Sequence, residues 1–206
     1  MKNKHVYSFK EGDGHNKKLL GGKGANLCEM TQIGLNVPPG FVISTEACLE
    51  YLEEDKLPEG LMDEVRAEIK QLEAATGKTY GRGPDPLLVS VRSGSALSMP
   101  GMMDTILNLG LNEETLEGLI EQTGDERFAY DAYRRFIQLF GKVALGIDDA
   151  PFDEHFEAVK KRVGVKADVG LDADHLKEIS EKFLEVVKSE TGTVSYTHLT
   201  LPTKES

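Results

Sequence analysis

The chain has 206 residues, with 24 Lys+Arg against 35 Asp+Glu and a formal net charge of -11. A field of that sign repels polyanions and excludes a general nucleic-acid or anionic-membrane binder, while a local basic cluster can still hold a small anion. Hydrophobic residues make up 39% and charged residues 29%, the mix of a soluble globular protein of one large or two small domains. Cys28 and Cys48 are the only cysteines. They form no disulfide framework or Cys-x-x-Cys metal pattern, and are expected as reduced, mostly buried thiols of a cytoplasmic protein. Residues Met1 to His5 lead into no apolar signal region. No run approaches the roughly 18 apolar residues that span a bilayer, so no membrane contact is expected.

In chain order, His5 to Phe9 alternates and predicts a short strand; Glu11 to Lys18, with Gly12 and Gly14, reads as a loop. Gly21-Gly22-Lys23-Gly24 should precede a helix that starts near Ala25, turns Leu27, Met30 and Ile33 inward, and ends at Gly34. Phe41-Val42-Ile43 reads as a short buried strand, after which Ser44 or Thr45 can cap a helix toward Glu54. Leu61, Val65, Ile69 and Leu72 recur at helical spacing in a segment that starts at Pro58 and stops at Gly77. Leu87 to Val91 is the strongest strand pattern, and Thr105 to Leu109 is a second candidate. Asn112 caps a helix, Asp125 opens a long aromatic one through Phe128, Phe136 and Phe140, and two more run near 152–163 and 172–188. Strands early and helices late give an α+β class, helix-rich in its second half. Beyond Thr191 the pattern breaks, and Ser195 to Thr203 resembles translated sequencing-adaptor read-through. Residues 194–206 are therefore expected to be a non-native tail, and 1–193 the protein proper.

Three stretches could carry chemistry. Glycines in Gly22-Lys23-Gly24 let backbone N–H groups converge on an anion, a following helix N-terminus adds positive potential, and Lys23 can reach phosphate as a point charge. This is not a Walker A loop, because Gly24 stands where Ser or Thr is required. The competing reading is a flexible turn with a solvated lysine. Val89-Ser90-Val91-Arg92-Ser93-Gly94 puts an arginine fork and a hydroxyl at a strand end, where ligand sites collect, or else a surface arginine paired with a carboxylate. Ser98 to Thr105 holds Met99, Met102 and Met103 around Pro100-Gly101; it reads as a flap hinged at Gly101, or as core filling. Asp104 can assist Mg²⁺ or cap a turn. No histidine lies at a triad or metal-ligand spacing.

Taken together and in order, Leu19 to Leu27, Pro39-Gly40-Phe41, Leu88 to Gly94, Ser98 to Asn112 and Arg127 to Phe136 closely resemble the N-terminal part of the pyruvate, phosphate dikinase family. The first motif is shared with phosphoenolpyruvate synthases; the Met-Pro-Gly-Met-Met-Asp-Thr stretch and the aromatic helix are specific to the dikinases. The resemblance implies the N-terminal subdomain of an ATP-grasp fold, with 1–193 a partial nucleotide-binding domain. It implies a reaction in which ATP, pyruvate and phosphate give AMP, phosphoenolpyruvate and diphosphate through a phosphohistidine on a separate domain. In the family pattern Lys23 and Arg92 contact ATP phosphates, and are expected as the catalytic residues. Gly22, Gly24, Ser93, Gly101 and Asp104 join them in the nucleotide site, with Gly101 in the flap.

The Thr-Ser-His acceptor and the pyruvate-binding barrel are absent from these 206 residues, and Mg²⁺ ligands are expected outside them. The expectation is half an ATP site that cannot complete the dikinase reaction alone. Partners would be ATP, phosphate and the phosphohistidine and pyruvate-binding domains of a homodimeric full-length enzyme. The alternatives are a phosphoenolpyruvate synthase-type dikinase or a non-catalytic nucleotide-binding module.

Overall fold

The computed structural model describes residues 4–93 and 105–192. They fall into two compact units, one comprising residues 4–78 with Ser93, the other residues 79–92 and 105–192.

In the first unit β1 (Val6–Ser8) pairs antiparallel with β2 (Phe41–Ile43), Val6 facing Ile43 and Ser8 facing Phe41. Around this ribbon lie α1 (Lys17–Gln32), α2 (Thr45–Glu54) and α3 (Leu61–Thr76). Local chemistry sets the ends. The Ser44 hydroxyl accepts from Ala47 N–H at 3.2 Å and caps α2. Gly77 closes α3 at φ 72°, where a Cβ would be strained. Gly34 follows α1 at φ 84°, and Leu35 N–H reaches back to the Met30 carbonyl at 3.0 Å. Leu61, Val65 and Leu72 form the buried stripe of α3. On the same helix the Glu64 carboxylate accepts N–H bonds from His5 and Val6, both at 2.9 Å, which ties α3 to the start of β1.

The inner face of α1 differs from the sequence expectation. Leu20, Gly21, Gly24, Ala25 and Cys28 are buried, whereas Met30 and Ile33 are exposed. Close backbone approach decides this: a Cβ on Gly24 would sit 2.8 Å from Val42 Cγ1, so the small-residue stripe, not the long side chains, meets β2. Cys28 is buried, but Cys48 on α2 is exposed, contrary to the expected pair of buried thiols.

In the second unit β3 (Thr79–Tyr80) runs parallel to β4 (Pro86–Leu87), and β5 (Val89–Val91) antiparallel to β6 (Ile106–Leu109). The continuous strand expected over 87–91 is thus divided at Leu88, because Leu87 pairs with β3 and Val89 with β6. A register shift between Val89 and Val91 bends the second ribbon. Neither β2 nor β5 is the buried strand expected: Ile43 and Val91 are both exposed, since a two-stranded ribbon covered on one face leaves alternate residues outside.

The helices match their sequence signals closely. They are α4 (Glu113–Thr123), α5 (Glu126–Leu145), α6 (Asp149–Val163) and α7 (Ala173–Thr191). Asn112 and Thr115 form a reciprocal capping box, while Asp125, Asp148 and Asp172 each accept from a first-turn N–H. Glycines at 124, 146, 164 and 192 end all four in the left-handed conformation. The core is aromatic and aliphatic: Phe136, Ile137, Phe152, Leu176, Ile179 and Phe183 are essentially inaccessible, with the Phe152 and Phe183 rings edge-on at 5.1 Å. Arg127 donates to the carbonyls of Leu171 (2.7 Å) and Asp168 (3.1 Å), fixing the connection between α6 and α7 to α5. The protein is therefore α+β and helix-rich.

Candidate functional site

The glycine-lysine stretch is not a loop ahead of a helix. Asn16 opens α1 six residues before Gly22, its side chain accepting from Leu19 N–H at 3.1 Å. The first turn runs through Lys17 to Leu20, and the helix then breaks at Gly21, with φ 67° and ψ 165°. That combination is essentially closed to residues with a Cβ. Gly22, Lys23 and Gly24 lead into the second helical segment, so the expected helix start is displaced by only a few residues. Sequence reading missed the preceding turn because the glycine cluster hides the Asn16 cap.

A break of this kind has a definite hydrogen-bond consequence. In an unbroken helix Gly22 N–H would bond the Lys18 carbonyl four residues earlier. With Gly21 out of the helical region, the Lys18 carbonyl accepts from the Thr45 hydroxyl, at 2.5 Å. Of the two candidate caps for α2, Ser44 is the cap, and the Thr45 side chain turns to α1. On the other side of Lys23, Gly24 seats against Val42, and Ala25 and Cys28 are fully buried. Gly22 to Gly24 are thus held from both ends by β2 and the start of α2.

The electrostatics of this segment suit an anion. Lys17, Lys18 and Lys23 are all exposed, and the first turn of α1 has no acidic residue. Among the described residues Lys23 enters no ion pair or side-chain hydrogen bond. The same holds for Arg92, which is exposed just beyond β5 in the second unit and has no carboxylate partner among the described residues. Ser93 is half-buried next to it. Beneath the segment, burial pushes the Cys28 thiol up, so it is a packed thiol rather than a nucleophile. A Cβ on Gly12 would lie 2.5 Å from its Sγ.

The structure therefore brings Gly22, Lys23 and Gly24 together in the first unit and puts Arg92 at a strand end of the second. Gly101 and Asp104, with the methionine-rich flap, lie outside the described residues. Among the described residues no group of three or more His, Cys, Asp or Glu side chains converges to hold a metal ion. They do not supply a ligand set for the Mg²⁺ that the family resemblance implies. A surface hollow in the second unit, lined by Gly83, Pro84, Glu114, Glu117, Gly118 and Glu121, has three carboxylates and repels phosphate. No helix among the described residues is long and apolar enough to cross a membrane.

Comparison with known proteins agrees with this geometry. The family model described as pyruvate phosphate dikinase, AMP/ATP-binding domain, matches residues 17–63 and 54–191. Pyruvate, phosphate dikinase of Entamoeba histolytica is 57% identical over 181 residues, covering 87% of this chain and 20% of that protein. The Clostridium symbiosum protein of the same name is 50% identical over 186 residues, covering 90% of this chain and 21% of the relative. The chloroplastic pyruvate, phosphate dikinase 1 of Arabidopsis thaliana is 50% identical over 194 residues, covering 92% and 20%. The chain spans about a fifth of the length of these curated relatives. With the match running through the broken helix, both ribbons and all the helices of the second unit, the chain belongs to the pyruvate phosphate dikinase AMP/ATP-binding domain family.

Proposed function

We propose that this chain is the ATP-binding part of a pyruvate, phosphate dikinase, and that Lys23 and Arg92 act on the phosphates of ATP. The observation that carries the reading is membership of an AMP/ATP-binding family, in a match whose bounds contain both residues. Two exposed cations without ion-pair partners among the described residues, in a chain of net charge -11, support it. Such cations are held ready for an anion rather than spent on internal salt bridges.

Phosphoryl transfer is mostly a matter of positioning and charge neutralisation. Lys23 supplies a point charge and Arg92 a planar fork for two oxygens. Gly22 and Gly24 leave the backbone at the Gly21 break open to close approach, Ser93 adds a hydroxyl, and the Gly101 segment closes over the phosphates. Asp104 belongs to the same site. We assign residues 1–193 to a partial ATP-grasp nucleotide-binding domain and 194–206 to a non-native tail. In the whole enzyme the phosphoryl group passes to a histidine on another domain and on to pyruvate. That enzyme is read as a cytoplasmic homodimer, with phosphate as co-substrate and Mg²⁺ held by residues elsewhere. This chain alone binds nucleotide and does not turn over.

The test is calorimetric titration of the chain with ATP. The expected result is weak, saturable binding that falls about tenfold or more in Arg92→Ala, the contribution of one charge-assisted hydrogen bond or more. Binding unchanged in Arg92→Ala removes Arg92 from the site. Phosphoenolpyruvate synthesis coupled to AMP formation by this polypeptide would overturn the reading of it as incompetent alone.

A further inference from the structure

We propose that Thr45 is a positioning residue for the nucleotide site: its hydroxyl holds open the break at Gly21 and so fixes where Lys23 and the amides of Gly22 to Gly24 point. The inference rests on the reading of Lys23 as a phosphate-binding residue. It adds a residue from a different element, in a stretch where the sequence shows only a helix cap.

The argument is one of hydrogen-bond accounting. A helix carbonyl that loses its partner four residues on takes another donor: water where it is exposed, as at Lys18, or a side chain that also fixes its direction. At Gly21 the chain adopts φ 67° and ψ 165°, a conformation outside the helical region, which turns the Gly22 N–H away from the direction of the Lys18 carbonyl that a helix would give it. The Thr45 hydroxyl takes that carbonyl at 2.5 Å. Thr45 is half-buried and directly follows Ser44, whose own N–H bonds the His5 carbonyl at 2.8 Å beside β1. The donor is therefore the first residue of α2, two residues beyond the end of β2 at Ile43 and tied to β1 through Ser44. Val42 of β2 receives Gly24. The first residue of α2 thus grips the glycine-lysine segment at Lys18 and β2 grips it at Gly24, and Lys23 lies between the two grips. Without the hydroxyl the Lys18 carbonyl can regain Gly22 N–H only if the break straightens, which rotates Lys23 about the helix axis and withdraws a glycine amide from the phosphates.

The experiment titrates ATP into the parent chain, Thr45→Val, Thr45→Ser and Lys23→Ala, and records amide hydrogen exchange at residues 21–25 without ligand. Thr45→Val keeps the shape and loses the donor; Thr45→Ala makes the same deletion where the valine variant does not fold. The expected result is ATP affinity lowered about fivefold in the deletion variants, the size of one neutral hydrogen bond, with slowed exchange at Gly22 as its bond to Lys18 forms. Thr45→Ser should restore both. Parent-like affinity in Thr45→Val, with Lys23→Ala weakened, overturns the role of Thr45 and leaves the phosphate site standing. An equal loss in Thr45→Ser and Thr45→Val also overturns it, because serine keeps the hydroxyl. Parent-like affinity in Lys23→Ala removes the phosphate reading itself, and the inference with it.

Discussion

Among the described residues the two units of this protein pack differently, the first burying a helical stripe of Leu61, Val65 and Leu72 and little else that is large. In the second, α7 alone buries Leu176, Ile179, Phe183, Leu184, Val186 and Val187 against a core that includes Phe136 and Phe152. In the first, α2 buries only Ala47, and the cluster around α1 is Leu20, Ala25 and Cys28. Large apolar side chains stay outside there: Ile33 is 70% exposed and Leu52 71%. The lesson is a division of labour. The helical unit supplies packing energy, whereas the glycine-lysine segment sits on the thinly packed unit and is held by contacts of a different kind: glycine approach, a hydroxyl and a strained dihedral. Local opening is expected to be easiest in that unit.

Substitutions break the comparison in order of size. Phe183→Ala removes a ring that is wholly buried edge-on to Phe152, and is expected to cost about 3–5 kcal/mol in denaturant unfolding of the second unit. A loss under about 1 kcal/mol would mean that the aromatic core is not what holds that unit. Gly24→Val forces side-chain atoms into Val42, where even a Cβ would come within 2.8 Å, and should cost about 1–3 kcal/mol with a parallel loss of ATP affinity. Unchanged stability and binding would show that α1 does not lean on β2 there. Gly21→Ala puts a Cβ at φ 67°, ψ 165°, for about 1–3 kcal/mol of backbone strain, unless the break straightens. A crystal structure of that variant with a continuous helix and undiminished ATP affinity would sever the break from binding.

Smaller effects sharpen the same contrast. Burial, with Glu11 nearby, holds the Glu68 carboxyl of α3 above the usual carboxylate range. A carboxyl that binds its proton more tightly folded than unfolded stabilises the protein below its unfolded pKa, and that contribution is lost as the pH rises through the folded value. Glu68→Gln should therefore gain stability relative to the parent between mildly acidic and neutral pH. An identical stability difference at both ends of that range would contradict the assignment. Least of all, Leu52→Gln on the exposed face of α2 should change the free energy of unfolding by no more than about 0.5 kcal/mol. A larger loss would reveal packing on α2 that the exposed side chain does not suggest.

How far the sequence carried depends on whether an element is made locally. Asn112, Asp125 and Asp172 mark helix starts by a side chain that accepts a first-turn N–H, Ser44 or Thr45 marks another, and Gly77 and Gly34 mark stops, so these boundaries read almost directly. What depends on a distant partner did not. The buried face of α1 follows Val42 rather than the apolar spacing of Leu27, Met30 and Ile33. The division of 87–91 follows the competing partners β3 and β6. The Gly21 break was half visible: the glycines marked it, but the helical turn before it and the Thr45 donor, 27 residues from Lys18, left no sequence mark. Within the site, the residue types at 22–24 and 92 suggested phosphate chemistry, and their solvent exposure without ion-pair partners among the described residues came only with the structure.

The most direct measurement is hydrogen exchange of the unmodified chain with and without ATP. The account predicts slowed exchange at the amides of Gly22 to Gly24 and around Arg92 on adding ATP, with the amides of α5 and α7 unchanged. Saturable ATP binding that leaves residues 22–24 unprotected would place the nucleotide elsewhere and contradict the central claim.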